Sequence, residues 1–182
     1  MKNVSSLMTL IVIATAVPFA ALAQQSNDAT SKEEAIARIK AYREAGEAKL
    51  RDNKLRREEV SLTGANIKES IKQKWQKMEA YYDGEKLVRL QLYPHKDVSG
   101  RTEEFYLMNN ELVFAYIQDL GPKHEGRDMG EPGKEFYFDK GKLLKMEDRT
   151  KEEAVISEQE KKMYETRLPY EVSELLAILQ KK

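Results

Sequence analysis

Two histidines and no cysteine set the reactive inventory of this 182-residue chain. His95 and His124 are accompanied by Asp97, Arg101, Lys123, Glu125, Arg127, Asp128 and Glu131. Imidazole together with carboxylate suits a borderline divalent cation, so His95, Asp97, His124 and Asp128 are the candidate metal ligands. The cationic groups of Arg101, Lys123 and Arg127, with His95 and His124, form the alternative: a clasp for a carboxylate or phosphate. Both uses require the chain to bring residues 95 and 124 to one place. Other chemistries find no residues. The lack of cysteine excludes disulfides, thiolate metal sites, a cysteine nucleophile and a lipobox anchor. No Gly-x-Ser-x-Gly elbow or Walker loop is present. His124-Glu125-Gly126-Arg127-Asp128 matches a zinc-protease string only until its last letter, and its glycine suits a helix poorly.

The elements that must position those groups are legible in the pattern. Eleven of the fourteen aromatic residues that follow Ala23 fall between 70 and 149. Val88, Leu90 and Leu92 alternate with Arg89 and Gln91, the period of a strand. Tyr81-x5-Leu87-Val88 recurs as Tyr106-x5-Leu112-Val113 and as Tyr137-x5-Leu143-Leu144. The intervening Asp83-Gly84, Asn109-Asn110 and Asp139-Lys140-Gly141 tolerate left-handed backbone, so each unit predicts a β-hairpin. Three hairpins in succession predict a meander of about six antiparallel strands, with Trp75 as a core residue of the first.

In a meander the three tight turns share one end of the sheet. The connections 94–100 and 120–133 then share the other, about two strand spacings or roughly 10 Å apart. The second connection has 14 residues and four of the nine glycines, and loops of that length without structure are more often functional or disordered than idle. One histidine lies in each connection, which is how the topology gathers the candidate site.

Helices flank the sheet. Ser31-Lys32-Glu33-Glu34 reads as a capping box, predicting an amphipathic helix with Ile36, Ile39 and Tyr42 as its stripe, within 31–62. The charge run from Lys49 to Glu59 reads as the solvated face of that helix. Thr150-x-x-Glu153 is a second capping box, and Pro169 is expected to separate the helix it opens from an amphipathic one. In the latter Val172, Leu175, Leu176 and Leu179 fall at i, i+3, i+4 and i+7. The expected fold is α+β: one N-terminal helix, the meander over 70–149, and two C-terminal helices over 150–182 packing on the sheet, all in one domain spanning 31–182.

The Tyr-x-Asp-Gly-x-x-Leu unit resembles the repeats of small exported bacterial proteins built from Tyr/Phe-Asn/Asp-Gly-Lys-Leu hairpins, including variant MORN-type repeat proteins. The likeness covers residues 75–149. The chain lacks the regular glycines of true MORN repeats, and its unit spacing is uneven, 25 and then 31 residues. What the resemblance implies is a repeat-built antiparallel sheet; it carries no catalytic residues across.

Charge and targeting bound the function. Lys and Arg number 31, Asp and Glu also 31, for a net charge of zero. With acid and base interleaved, even around Lys68, Lys72, Lys74, Trp75 and Lys77, a nucleic-acid binder is not expected. Lys2, the apolar run Leu7–Val17, Pro18 and the small residues Ala21 and Ala23 form an export signal cleaved after Ala23. The run is short of the ~20 residues of a bilayer span, so stable membrane insertion is not expected. Residues 24–30 are polar and small, and flexibility is expected there.

The leading expectation is a periplasmic or secreted binding module of the bacterial envelope, its partner another envelope protein or a small anionic ligand. Its surfaces would be the loop end and an uncovered sheet face carrying some of Tyr81, Tyr93, Tyr106 and Tyr137. A small metal-dependent enzyme using the two histidines, and a structural oligomer built through the N-terminal helix, are the alternatives. The leader yields a direct check: N-terminal sequencing of the processed protein should begin at Gln24, and an intact Met1 in the exported form would overturn the assignment.

Overall fold

The computed structural model describes residues 19–95, 101–119, 123–124, 127–128, 131–148 and 157–181, with backbone alone at 19–29, 119, 123–124, 127–128 and 131–132. In chain order the elements are α1 (Phe19–Arg51), β1 (Arg56–Ser61), α2 (Glu69–Lys72), β2 (Trp75–Asp83), β3 (Lys86–Pro94), β4 (Thr102–Met108), β5 (Glu111–Asp119), β6 (Lys123–His124), β7 (Arg127–Asp128), β8 (Glu131–Asp139), β9 (Lys142–Asp148) and α3 (Glu158–Leu179). Seven strands form one antiparallel sheet in the order β1-β2-β3-β4-β5-β8-β9, and β6-β7 is a separate two-stranded ribbon.

The repeat units are the hairpins β2-β3, β4-β5 and β8-β9. Their two-residue turns use positive φ where the sequence supplies residues that accept it: Gly84 at +62°, Asn109 and Asn110 at +55° and +64°, Lys140 and Gly141 at +51° and +77°. These are the turn classes whose twist matches that of paired strands. Each hairpin then carries a β-bulge at the same place. Register slips between Tyr81 and Tyr82, between Tyr106 and Leu107, and between Tyr137 and Phe138. The extra residue opposite each slip is Val88, Val113 or Leu144. Alternation alone would put Leu87 and Arg89 on one face. The bulge shifts the phase, so Leu87, Leu112 and Leu143 join the main core, whereas Arg89 and Phe114 face the other way.

The two faces therefore differ. On one, Met78, Leu90, Leu92, Phe105, Ala115, Phe136 and Phe138 pack beneath Leu168, Val172 and Leu175 of α3 in an apolar core. Trp75 lies in this core at 1% exposure, as expected from its position. On the other face Ile39 of α1 packs on Tyr106, Phe114 and Tyr137, with Ile36 and Tyr42 beside them. Here the rings meet edge to face, at 5.8 Å and 5.2 Å between centroids. Gly46 lets α1 approach closely, since a Cβ there would stand 3.1 Å from the Tyr106 ring.

Mostly polar contacts fasten α1 across all three hairpins. Arg38 pairs with Asp139 at 3.0 Å and Arg43 with Glu135 at 3.0 Å. Tyr42 donates to the Leu107 carbonyl at 2.6 Å, and Lys49 reaches Asp83. Asn53, at φ +54°, ends the helix and turns the chain back into β1.

Four expectations about the elements are corrected. The run Lys49–Glu59 is divided between the end of α1 and β1, because β1 takes a register on β2 that a helix face could not; this makes the sheet seven-stranded. The first helix starts at Phe19, so residues 24–30 and Ser31 lie inside it rather than before it. The C-terminal segment is one helix that continues through Pro169, because Leu168, Val172 and Leu175 stay buried on the sheet and outweigh the lost hydrogen bond. Ser157 and Glu160 form its capping box; Thr150 and Glu153 lie outside the described residues. The long connection contains the β6-β7 ribbon and ends at Glu131 where β8 begins.

Leu168 is fully buried between α3 and the sheet. Leu168→Ala should lower the unfolding free energy by about 2–5 kcal/mol in urea titration, whereas a cost under 1 kcal/mol would show that α3 does not seal this core.

Candidate functional site

The register arranges the α1 face of the sheet in rows that cross the strands. One row reads Arg57, Tyr81, Arg89, Tyr106, Phe114, Tyr137, Lys145. The next, closer to the end with the long connections, reads Glu59, Glu79, Gln91, Glu104, Tyr116, Glu135, Glu147. Cations and rings thus lie beside a row rich in carboxylates. Its origin is a Glu-x-Tyr triplet opening every hairpin, at Glu79-Ala80-Tyr81, Glu104-Phe105-Tyr106 and Glu135-Phe136-Tyr137.

Paired carboxylates directly opposite one another repel unless compensated. Lys77 bridges Glu59 and Glu79 at 2.8 Å and 3.1 Å. Glu79 also accepts from Tyr81 at 2.5 Å and Tyr93 at 2.9 Å. Burial pushes its carboxyl up, but those three donors outweigh burial and hold it below the usual carboxylate range. Glu135 accepts from Tyr137 at 2.8 Å and Arg43 at 3.0 Å. In the middle hairpin the pairing is exchanged: Tyr106 donates to Glu47 of α1, and Glu104 takes Arg89 at 2.9 Å. Burial, with help from Glu47, drives the Tyr106 phenol far above its ordinary value, so it stays a donor. Arg89 is 5% exposed between the rings of Tyr81 and Tyr106, at 5.1 Å and 5.8 Å, and its Nε and Nη1 find no hydrogen-bond acceptor among the described residues.

At this exchanged pairing the sheet and α1 part to form a cleft of about 380 Å³, lined by Arg43 and Glu47 from the helix and by Glu104, Tyr106, Phe114, Tyr116, Gln118 and Glu135 from the sheet. Tyr116 lies over Gly133, where any Cβ would collide with its ring. Its hydroxyl donates to Gln118 at 3.1 Å. The lining runs from Phe114 to Gln118 along β5, toward the end where the two long connections lie. The sequence places its candidate residues at this same end, whereas the cleft is lined by others.

His95 meets the carbonyl of Lys72 through Nε2 at 2.7 Å, which ties the end of β3 to the end of α2. Arg101 donates from Nε to Glu103 at 2.9 Å. Lys123, His124, Arg127 and Asp128 fall in the β6-β7 ribbon, with Lys123 opposite Asp128 and His124 opposite Arg127, and their side chains lie outside the described residues, as does Asp97. No group of three or more metal-ligating side chains occurs among the described residues. Nor is the face of the tyrosines open: Tyr81, Tyr106 and Tyr137 are buried, the last two under α1, and Tyr93 is half-buried. No protein family, curated protein or solved structure matches this chain.

A second polar cluster lies at the same end beneath α3. Glu103 is 1% exposed, and its Oε2 has no hydrogen-bond partner among the described residues. Trp75 donates to nearby Glu171 at 3.3 Å. Burial pushes the Glu103 carboxyl up from 4.5 and Glu171 adds to the push, while Arg101 and Arg167 oppose it. Sealed in this way, the cluster joins α3 to the sheet. The folded chain holds a proton on Glu103 more tightly than the unfolded chain, so that contribution is complete below 4.5 and is lost as pH rises through the raised folded value. Glu79 and Glu147 act in the opposite sense, their contributions present above 4.5 and lost as pH falls through their lowered values. Between pH 4.5 and neutrality the stability of the protein relative to Glu103→Gln should therefore fall as pH rises. Parallel urea-unfolding curves for the two across that interval would remove Glu103 from the account.

Proposed function

We propose that the chain is an exported soluble binding module of the bacterial envelope, and that the cleft between α1 and the sheet is its recognition site. The observation that carries this reading is the state of the lining groups. Glu47, Glu104 and Glu135 are held by Tyr106, Arg89 and Arg43, which fixes their positions in the cleft wall. Groups so fixed on strands and a helix are preorganised for recognition. The partner is a polar molecule or the polar segment of another envelope protein, entering from the end that carries the long connections.

Export rests on the leader of residues 1–23; among the described residues no helix is long and apolar enough to cross a membrane. The oligomer alternative loses support because Ile36, Ile39 and Tyr42 of α1 are turned to the sheet.

The reading is tested on the isotope-labelled, processed protein by adding small-molecule and peptide extracts of the envelope and following backbone amide shifts. Perturbations should centre on Glu104, Tyr116 and Gln118. Shifts confined to the turn end, around Asn109 and Lys140, or no shifts at all, would refute it.

A further inference from the structure

We infer that the cleft and the strip of sheet beside it take a neutral, hydroxyl-rich ligand, a glycan chain lying across β3, β4 and β5; this inference rests on the reading of the cleft as a recognition site. The first argument is charge. Glu104 and Glu135 are each matched by a guanidinium, and Glu47 by Tyr106 with Arg89 4.0 Å away. A phosphate entering here would face Glu47 and Glu104, and an ammonium would face Arg43. Either ion would have to displace an existing partner or stand against a like charge, a loss that an uncharged ligand avoids.

The second argument is what remains once the ion pairs are set aside. Gln91, Tyr93, Thr102, Tyr116 and Gln118 are all partly exposed and all uncharged. Register makes them neighbours: Gln91 and Tyr116 both lie opposite Glu104, Thr102 lies opposite Gln118, and Tyr93 and Thr102 flank the pair Leu92–Glu103. In a chain with 34% charged residues, five uncharged polar side chains grouped around the ion-paired Glu104 form a distinct surface. Lys77, which lies over the Tyr93 ring, is itself held by Glu59 and Glu79. Amide and hydroxyl groups both donate and accept, as sugar hydroxyls do. The Tyr116 ring, bedded on Gly133, adds a flat apolar surface against which the C–H face of a sugar ring can lie.

The third argument is extent. β3 to β5 spans two strand spacings, roughly 10 Å. The cleft of about 380 Å³ lies toward the small end of ligand sites, ~300–1,000 Å³. Cleft and strip together accommodate more than one sugar ring, arranged perpendicular to the strands.

The test uses the processed protein and calorimetry with neutral tetrasaccharides of α-linked glucose, β-linked glucose and N-acetylglucosamine. Tetramers of galacturonic acid and glucosamine, and inorganic phosphate, serve as charged probes. At least one neutral tetramer should bind saturably, shift the amides of Thr102, Tyr116 and Gln118, and exceed the charged probes in affinity. Thr102→Ala and Gln118→Ala, with unchanged thermal midpoints, should each weaken it roughly three- to tenfold, whereas Lys140→Ala at the turn end should leave it unchanged. Tighter binding of a charged probe in the cleft overturns the neutral class and leaves the binding reading standing. Silence of every neutral tetramer, with envelope extract still shifting the cleft, does the same; silence of both removes the glycan and the binding reading together.

Discussion

The bulge that follows the tyrosine of each hairpin is the constraint on which the rest depends. A regular strand assigns residues to faces by parity, so one strand cannot send Leu87 into one core and Arg89 into the other layer. One additional residue per hairpin, Val88, Val113 or Leu144, resets parity near the start of the return strand. The turn-proximal leucines thereby reach α3 while Arg89 and Phe114 reach the α1 side. Without that reset, the cation-and-ring row under α1 would be broken by leucines. Both helices would lose the surface they are shaped to cover.

The two interfaces so created hold by different physics. Beneath α3 the contacts are mainly apolar, and burial there raises the proton affinity of Glu103. Beneath α1 a small cluster around Ile39 is surrounded by ion pairs and phenol–carboxylate bonds. Ion pairs that are partly exposed contribute little individually. Their effect is to set direction, fixing which part of the sheet α1 covers and which part it leaves as a cleft.

Much of this organisation was legible in the residues. The Tyr-x5-Leu pairs identified the three hairpins because turns with positive φ accept few residue types, and Gly84, Asn109 and Gly141 are among them. The Leu175–Leu179 stripe marked a core helix because its spacing admits few other uses. β1 was not legible: Arg56-Arg57-Glu58-Glu59 has the composition of a solvated helix, and only pairing to β2 makes it a strand. Pro169 suggested a break because local propensity cannot register the burial of Leu168 beside it. The cleft was not legible from the rare histidines; its signal lies in the commonest residue type, since Glu stands two places before Tyr in every hairpin and marks the face that receives α1.

The contacts that close the fold are long in sequence. Arg38 finds Asp139, 101 residues on, Trp75 finds Glu171 after 96, and Lys68 meets Tyr170 after 102. The N-terminal helix α1 is thus seated on the last hairpin, and the start of the sheet is locked by α3. Topologies with such distant pairings form slowly, because loop-closure entropy must be met before the contacts repay it. On the export proposed above, this delay is an advantage: while the C-terminal third is missing, neither face of the sheet can be sealed, and the polypeptide stays open enough to be threaded through a translocation pore.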